Sequence, residues 1–154
     1  MTEADESQPV PVDQTELTIE VENDQYGHVN YKAYPGLFEP GQDAYMSARG
    51  LSFDTIEAEH GFRSVVPTYT PKIHAEVFNG DRVNVETRID RVGNSSFTFG
   101  QAMKRGGTHI ADYSMVVVLI DGDGAPVSIP DPIRQKLQAA SEAPALGEDS
   151  PIEL

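Results

Sequence analysis

Between Phe62 and Ile120 the sequence is a succession of period-two segments cut by glycine-bearing turns, and this pattern commits the second half of the chain to an antiparallel sheet. Val83, Val85, Thr87 and Ile89 alternate with Asn84, Glu86, Arg88 and Asp90, the mark of a strand buried on one face. Asn79-Gly80 before it is a hairpin or turn signal. Gly93-Asn94 turns the chain, Phe97–Lys104 returns, and Gly106-Gly107 turns it again. Ile110–Ile120 is the longest run. It is apolar on both faces over Val116–Ile120, which predicts a central strand. Phe62–Thr70 is predicted extended, bounded by Pro67 and Pro71. Pro130–Ala140 predicts a short terminal helix with Pro132 in its first turn.

The first half carries one long helical pattern. Leu17, Ile19 and Val21 alternate with polar residues as a half-buried strand, which ends in the polar loop Asn23–His28. Tyr31, Tyr34, Phe38 and Tyr45 then recur at helical spacing beside a stripe of small residues that includes Gly41, Ala44 and Ala48. This predicts a helix lying close against something flat. Pro35 fits if regular helix starts there, and Pro40 predicts a kink. Asp54–Glu57 has a capping-box pattern opening a short helix, with Gly61 as its stop. Strand, long helix, short helix and then several strands make an α+β layer. One helix covers only part of such a sheet, so a strand edge or face is left for a partner, and a homodimer or homotetramer is expected.

Residues 1–15 and 141–154 are acidic, rich in Pro, Ser, Glu and Asp, and without periodicity; both are expected to be disordered tails around one domain over 16–140. With 11 Lys+Arg against 25 Asp+Glu the net charge is −14, which opposes nucleic-acid binding. A high-salt cytoplasm is one reading of that acidity, and an ordinary acidic protein with acidic tails is the other. The absence of a long apolar run excludes a transmembrane helix, and the start MTEADESQPV has no secretory signature, so a cytoplasmic location is expected. Cysteine is absent, which removes disulfides, thiolate metal sites and cysteine nucleophiles.

Asp24-Gln25-Tyr26-Gly27-His28-Val29-Asn30, followed by Tyr31, Tyr34, Phe38 and Glu39, resembles the signature of the hotdog-fold acyl-CoA thioesterases of the 4-hydroxybenzoyl-CoA type. The resemblance continues through Gly80-Asp81, Val92–Ser96 and Val118–Arg134, and so spans about residues 15–138. It implies a hotdog fold, in which an antiparallel sheet wraps one long central helix. It implies hydrolysis of an acyl-CoA to free acid and coenzyme A. No cofactor is expected, and with no cysteine and no histidine ligand spacing no metal is expected either. Asp24 matches the reacting carboxylate of the family, and the first-turn amide that polarises the carbonyl falls on Tyr31. By the same resemblance, a serine at Ser95 or Ser96 lies beside the site from across a dimer. The chain departs from the family at Tyr31, where a second Asn is common, at Gly41-Gln42, and at Pro35 and Pro40.

The chemistry of the residues points the same way. A carboxylate at a strand end, before a glycine turn and a helix start, can attack a thioester directly or act as base on water. The helix start offers unpaired N–H groups and a positive dipole end to the developing oxyanion. An Asp in that setting is also a common turn former or cap. Gly27 allows the tight turn. His28 serves as a second acid–base group or, more simply, orients the loop. Asn30 caps the helix or touches substrate. Glu39 has a structural role on the helix. Arg82, Arg88, Arg91, Lys104 and Arg105 are the cations available for the phosphates of coenzyme A, Arg82 and Arg91 foremost; a solvated strand face is the competing account of each.

Other chemistries are poorly supported. Asp121-x-Asp123-Gly124 resembles a calcium loop, but its glycine comes too early and a turn explains it better. His60, His74 and His109 show no ligand spacing. No G-x-S-x-G, G-x-G-x-x-G or P-loop is present. The alternatives that stay open are a hotdog (de)hydratase and a non-catalytic acyl-CoA-binding module.

Overall fold

The computed structural model describes residues 10–141. Strand β1 covers Asp13–Thr18, a 3-10 turn covers Tyr31–Ala33, helix α1 covers Tyr34–Ala48 and helix α2 covers Phe53–His60. Strands β2 (Arg63–Ile73), β3 (Arg82–Val92), β4 (Ser96–Arg105) and β5 (Thr108–Ile120) follow, and helix α3 (Asp131–Leu137) ends the order. The strands form one five-stranded antiparallel sheet in the order β1-β3-β4-β5-β2. The α+β expectation is met, with α1 lying along one face of the sheet.

The core divides along α1. Tyr34, Leu37 and Phe38 pack with Val83, Val85, Met103, Ile110, Ala111 and Tyr113 around its first half. Tyr45 and Met46 pack with Ile89, Phe97, Phe99, Val117 and Leu119, closed by Ile133 and Leu137 of α3, around its second. Between the two halves Gly41 lets helix and sheet approach: a Cβ there would stand 2.6 Å from Thr87 Oγ1 and 3.0 Å from Gln101 Nε2. Under that contact the buried Gln101 Nε2 donates to Thr87 Oγ1 at 2.9 Å and to the Phe38 carbonyl at 3.0 Å, and Gln42 donates to Gln101 Oε1 at 2.9 Å. Of the small-residue stripe in the sequence only Gly41 lies at this close seam between helix and sheet; Ala44 is exposed and Ala48 half-buried.

Several local expectations need correction. The first strand begins at Asp13, inside the segment expected to be tail, and ends at Thr18. Its inward positions 13 and 15 are polar, which hid it. Asp13 is there because Arg49, with a side chain 1% exposed, reaches it with paired bonds of 2.7 and 3.1 Å. The remaining tail residues, 1–9 and 142–154, lie outside the described residues. Helix α1 runs through Pro40; the carbonyl four residues earlier, on exposed Gly36, loses its helical partner where water can replace it. Helix α2 is capped by Ser52, whose Oγ accepts from Thr55 N at 3.1 Å, two residues before the predicted Asp54; Gly61 ends it at φ 76°. Strand β2 runs through both Pro67 and Pro71, with a register break between Val65 and Thr68. It tolerates them because it is an edge strand, where a missing N–H leaves no ladder bond unmade. Asn79-Gly80 is a turn between strands that do not pair, since β2 lies beside β5.

Candidate active site

Residues 19–30 form the loop between β1 and the helical region, so Asp24 stands six residues beyond the strand end where the sequence reading had placed it closer. The loop is tied down by its backbone. Ile19 N donates to Asp81 O at 2.7 Å, and Val29 N donates to Val77 O at 3.1 Å. Its tip folds on itself: Gly27 N donates to Asp24 O at 2.9 Å and Asp24 N to His28 O at 2.8 Å. Gly27 has φ 89°, a conformation that L side chains avoid, so glycine is required there.

This fold turns the Asp24 side chain toward the helix start. Its carboxylate is 20% exposed. Oδ1 accepts from Tyr26 N at 2.9 Å, and Oδ2 accepts from Asn30 Nδ2 at 3.3 Å. The same Asn30 amide caps the 3-10 turn, its Oδ1 accepting from Lys32 N at 3.0 Å. Asn30 thus does both things the sequence allowed, holding the helix end and the carboxylate with one planar group. Of the first-turn amides, Lys32 N is taken by that cap and Ala33 N donates to Asn30 O at 3.0 Å. Tyr31 N has no protein acceptor among the described residues, while the Tyr31 side chain is 68% exposed.

His28 approaches the same oxygen of Asp24, its Nε2 3.8 Å from Oδ2, and its Nδ1 is 3.0 Å from Glu76 Oε2. Partial burial pushes the Asp24 carboxyl up, but the Tyr26 N–H, the Asn30 amide and the charge of His28 outweigh it and hold the group below the ordinary value of 3.8. The arrangement offers an ionised carboxylate, an adjacent imidazole fixed by a second carboxylate, and an open main-chain donor on one short loop. Glu76 was missed in the sequence. It lies 48 residues from His28, in a segment between strands, and carries no local signal.

The other predicted residues are dispersed. Ser95 sits in the β3–β4 turn and Ser96 opens β4, whereas the Asp24 loop touches residues 76–81 before β3. That turn is braced by its own chain: Ser128 Oγ donates to Asn94 Oδ1 at 3.1 Å and Arg134 donates to Gly93 O at 3.0 Å. Arg82 and Arg91 are nine residues apart on β3, about 30 Å along a strand. Arg82 pairs with Glu16 at 2.8 Å, Arg88 with Asp90 at 2.7 Å, Lys104 with Glu86 at 3.2 Å and Arg105 with Asp81 at 2.8 Å. Among the described residues Arg91 makes no ion pair. Glu39 stays exposed on α1. Asp121 closes a tight turn, its Oδ1 accepting from Asp123 N at 2.8 Å and Ala125 N at 3.0 Å, which accounts for the calcium-like spacing. No helix among the described residues is long and apolar enough to cross a membrane.

Residues 21–137 match the thioesterase-like superfamily. No curated protein matches the sequence. Among solved structures, the chain is similar to a predicted thioesterase from Bacillus stearothermophilus, at 32% identity over 82% of this chain and 93% of that one, with a TM-score of 0.70. It shares the fold of a 1,4-dihydroxy-2-naphthoyl-CoA thioesterase from Synechocystis, at 16% identity over 82% and 95% of the two chains and a TM-score of 0.74. It shares it too with a DHNA-CoA thioesterase from Staphylococcus aureus, at 20% identity over 92% and 97% and a TM-score of 0.75.

Proposed function

The chain belongs to the thioesterase-like superfamily and has its hotdog fold, and from that premise we propose that it hydrolyses an acyl-CoA thioester to a free acid and coenzyme A, with Asp24 as the reacting carboxylate. The observation that supports this most is the pairing, on one loop, of an ionised Asp24 carboxylate with a Tyr31 N–H that has no acceptor among the described residues. The thioester carbonyl oxygen takes the Tyr31 amide and the helix end, where main-chain dipoles favour the charge that develops on it. Asp24 stands ready for the carbonyl carbon. The ionised carboxylate can attack the carbon directly or act as base on water, and direct attack is the route taken here. Attack forms a mixed anhydride and expels the coenzyme A thiolate. Water then cleaves the anhydride and restores Asp24. His28, held by Glu76, positions the loop and presents a positive edge to the carboxylate.

The site is completed by a second copy of the chain in this reading, as a homodimer or within a homotetramer. Ser95 and Ser96 are remote from Asp24 within one chain and come to it only from a partner. The free edge of β2 supports such pairing: it carries exposed Val65, Tyr69 and Ile73, an apolar rim of a kind that soluble proteins normally cover. Of the predicted phosphate contacts, Arg91 makes no ion pair among the described residues, whereas Arg82 must first release Glu16.

The test is release of free thiol from a panel of coenzyme A esters, aromatic esters included because two of the similar structures act on one. Turnover of any member supports the proposal. Hydration of an enoyl ester without thiol release would instead make the chain a hydratase, and saturable binding without turnover would make it a binding module.

A further inference from the structure

Three side chains outside the proposed reaction converge where β2 ends beside β5. His74 Nε2 is 3.0 Å from Asp112 Oδ2, and His109 Nε2 is 2.8 Å from Asp112 Oδ1. The two imidazole rings stand 5.0 Å apart, and one ligand atom from each of the three residues lies within 4.8 Å of the others. In an uninterrupted strand His109 and Asp112 would project to opposite faces. Here Met103 pairs with Ala111 and Lys104 with His109, so Ile110 is an extra residue on β5. Ile110 and Ala111 are both buried, and the bulge swings His109 round to the side of Asp112. The carbonyl of that same bulged Ile110 accepts from His74 N at 2.7 Å and Ala75 N at 3.1 Å, which fixes His74 opposite them.

We propose that His74, His109 and Asp112 form a binding site for a divalent transition cation of the zinc class. Two imidazoles and one carboxylate are ligands that Zn²⁺, Ni²⁺ and Cu²⁺ accept. A cation about 2.1 Å from each donor needs donor separations of about 3–3.5 Å. The two His–Asp separations, 3.0 Å to Oδ2 and 2.8 Å to Oδ1, put one imidazole beside each oxygen of a single carboxylate, and side-chain rotation brings the two ring nitrogens and the carboxylate onto one cation from donor atoms already within 4.8 Å. The three side chains are 45%, 47% and 44% exposed, so the remaining coordination positions open to water. The net charge of −14 raises the local concentration of cations. A bound cation clasps the end of the edge strand to β5, two residues before Glu76, the partner of His28.

The test is calorimetric titration of Zn²⁺ into the untagged, chelator-stripped full chain, with Co²⁺ absorption as a second readout of coordination. The expected result is one saturable equivalent, with affinity lowered about tenfold or more in His109→Gln and in Asp112→Asn. In Glu76→Gln, which alters the only other described carboxylate pairing with His28 besides Asp24, affinity is expected to stay that of the parent. Circular dichroism checks that each variant is folded. Absence of a one-equivalent isotherm in the parent overturns the proposal, and so does unchanged affinity in folded His109→Gln and Asp112→Asn.

Discussion

At the scale of single residues, the proposed reaction turns on how Asp24 is held. Asn30 donates to its carboxylate while capping the helical turn, so removing the Asn30 side chain takes away a bond that favours the charged form. The activity that needs ionised Asp24 is present above its pKa and lost as pH falls through it. In the parent the acid limb of kcat/KM should therefore lie below 3.8. In Asn30→Ala the limb should move to higher pH, and a pH–rate profile unchanged from the parent would contradict that role. Asp24, Gly27, His28 and Asn30 were legible in the sequence because their mutual geometry is local, set within one loop of seven residues. Glu76, Asp112 and the two histidines beside it were not legible. What joins them is strand pairing and a bulge, and neither leaves a trace in residue spacing.

At the scale of elements, periodicity exposed α1 and the strands, and tertiary contacts set their ends. The alternation that identified β3 is burial of every second side chain against α1. Strand β1 was harder to see because its inward Asp13 answers a buried arginine on a different element. Arg49 also donates to the Ala139 carbonyl at 2.8 Å and lies 3.4 Å over the Tyr45 ring, so it joins β1, α1 and the end of α3. Arg49→Ala leaves these acceptors without their donor and should destabilise the fold by about 3–5 kcal/mol, read from urea unfolding. Gly41→Ala tests the helix–sheet seam. Helix propensity alone favours alanine by about 1 kcal/mol. The contact with Thr87 and Gln101 opposes it, and a net loss of about 1–3 kcal/mol is expected from overpacking. A stabilised Gly41→Ala would show that the seam is looser than described. The prolines of β2 read as boundaries in the sequence because their tolerance depends on the strand being at an edge, a property of the sheet order alone.

At the scale of the whole molecule, charge and assembly govern the encounter with substrate. A net charge of −14 repels the phosphates of coenzyme A, and most cations on the sheet are already paired with carboxylates. Added salt shortens the reach of that field, to about 10 Å at 0.1 M. KM for an acyl-CoA should therefore fall as salt rises from low values, until the phosphate contacts are themselves screened; a KM that climbs from the lowest salt onward would contradict this. Composition made the charge plain, but the covering of the β2 edge depends on a surface that exists only after folding. The measurement closest to the central claim is the rate of thiol release from an acyl-CoA by folded Asp24→Asn beside the parent. Loss of the carboxylate should reduce kcat by about 10²–10⁴-fold with circular dichroism unchanged, and near-parental turnover by the folded variant would remove Asp24 from the reaction.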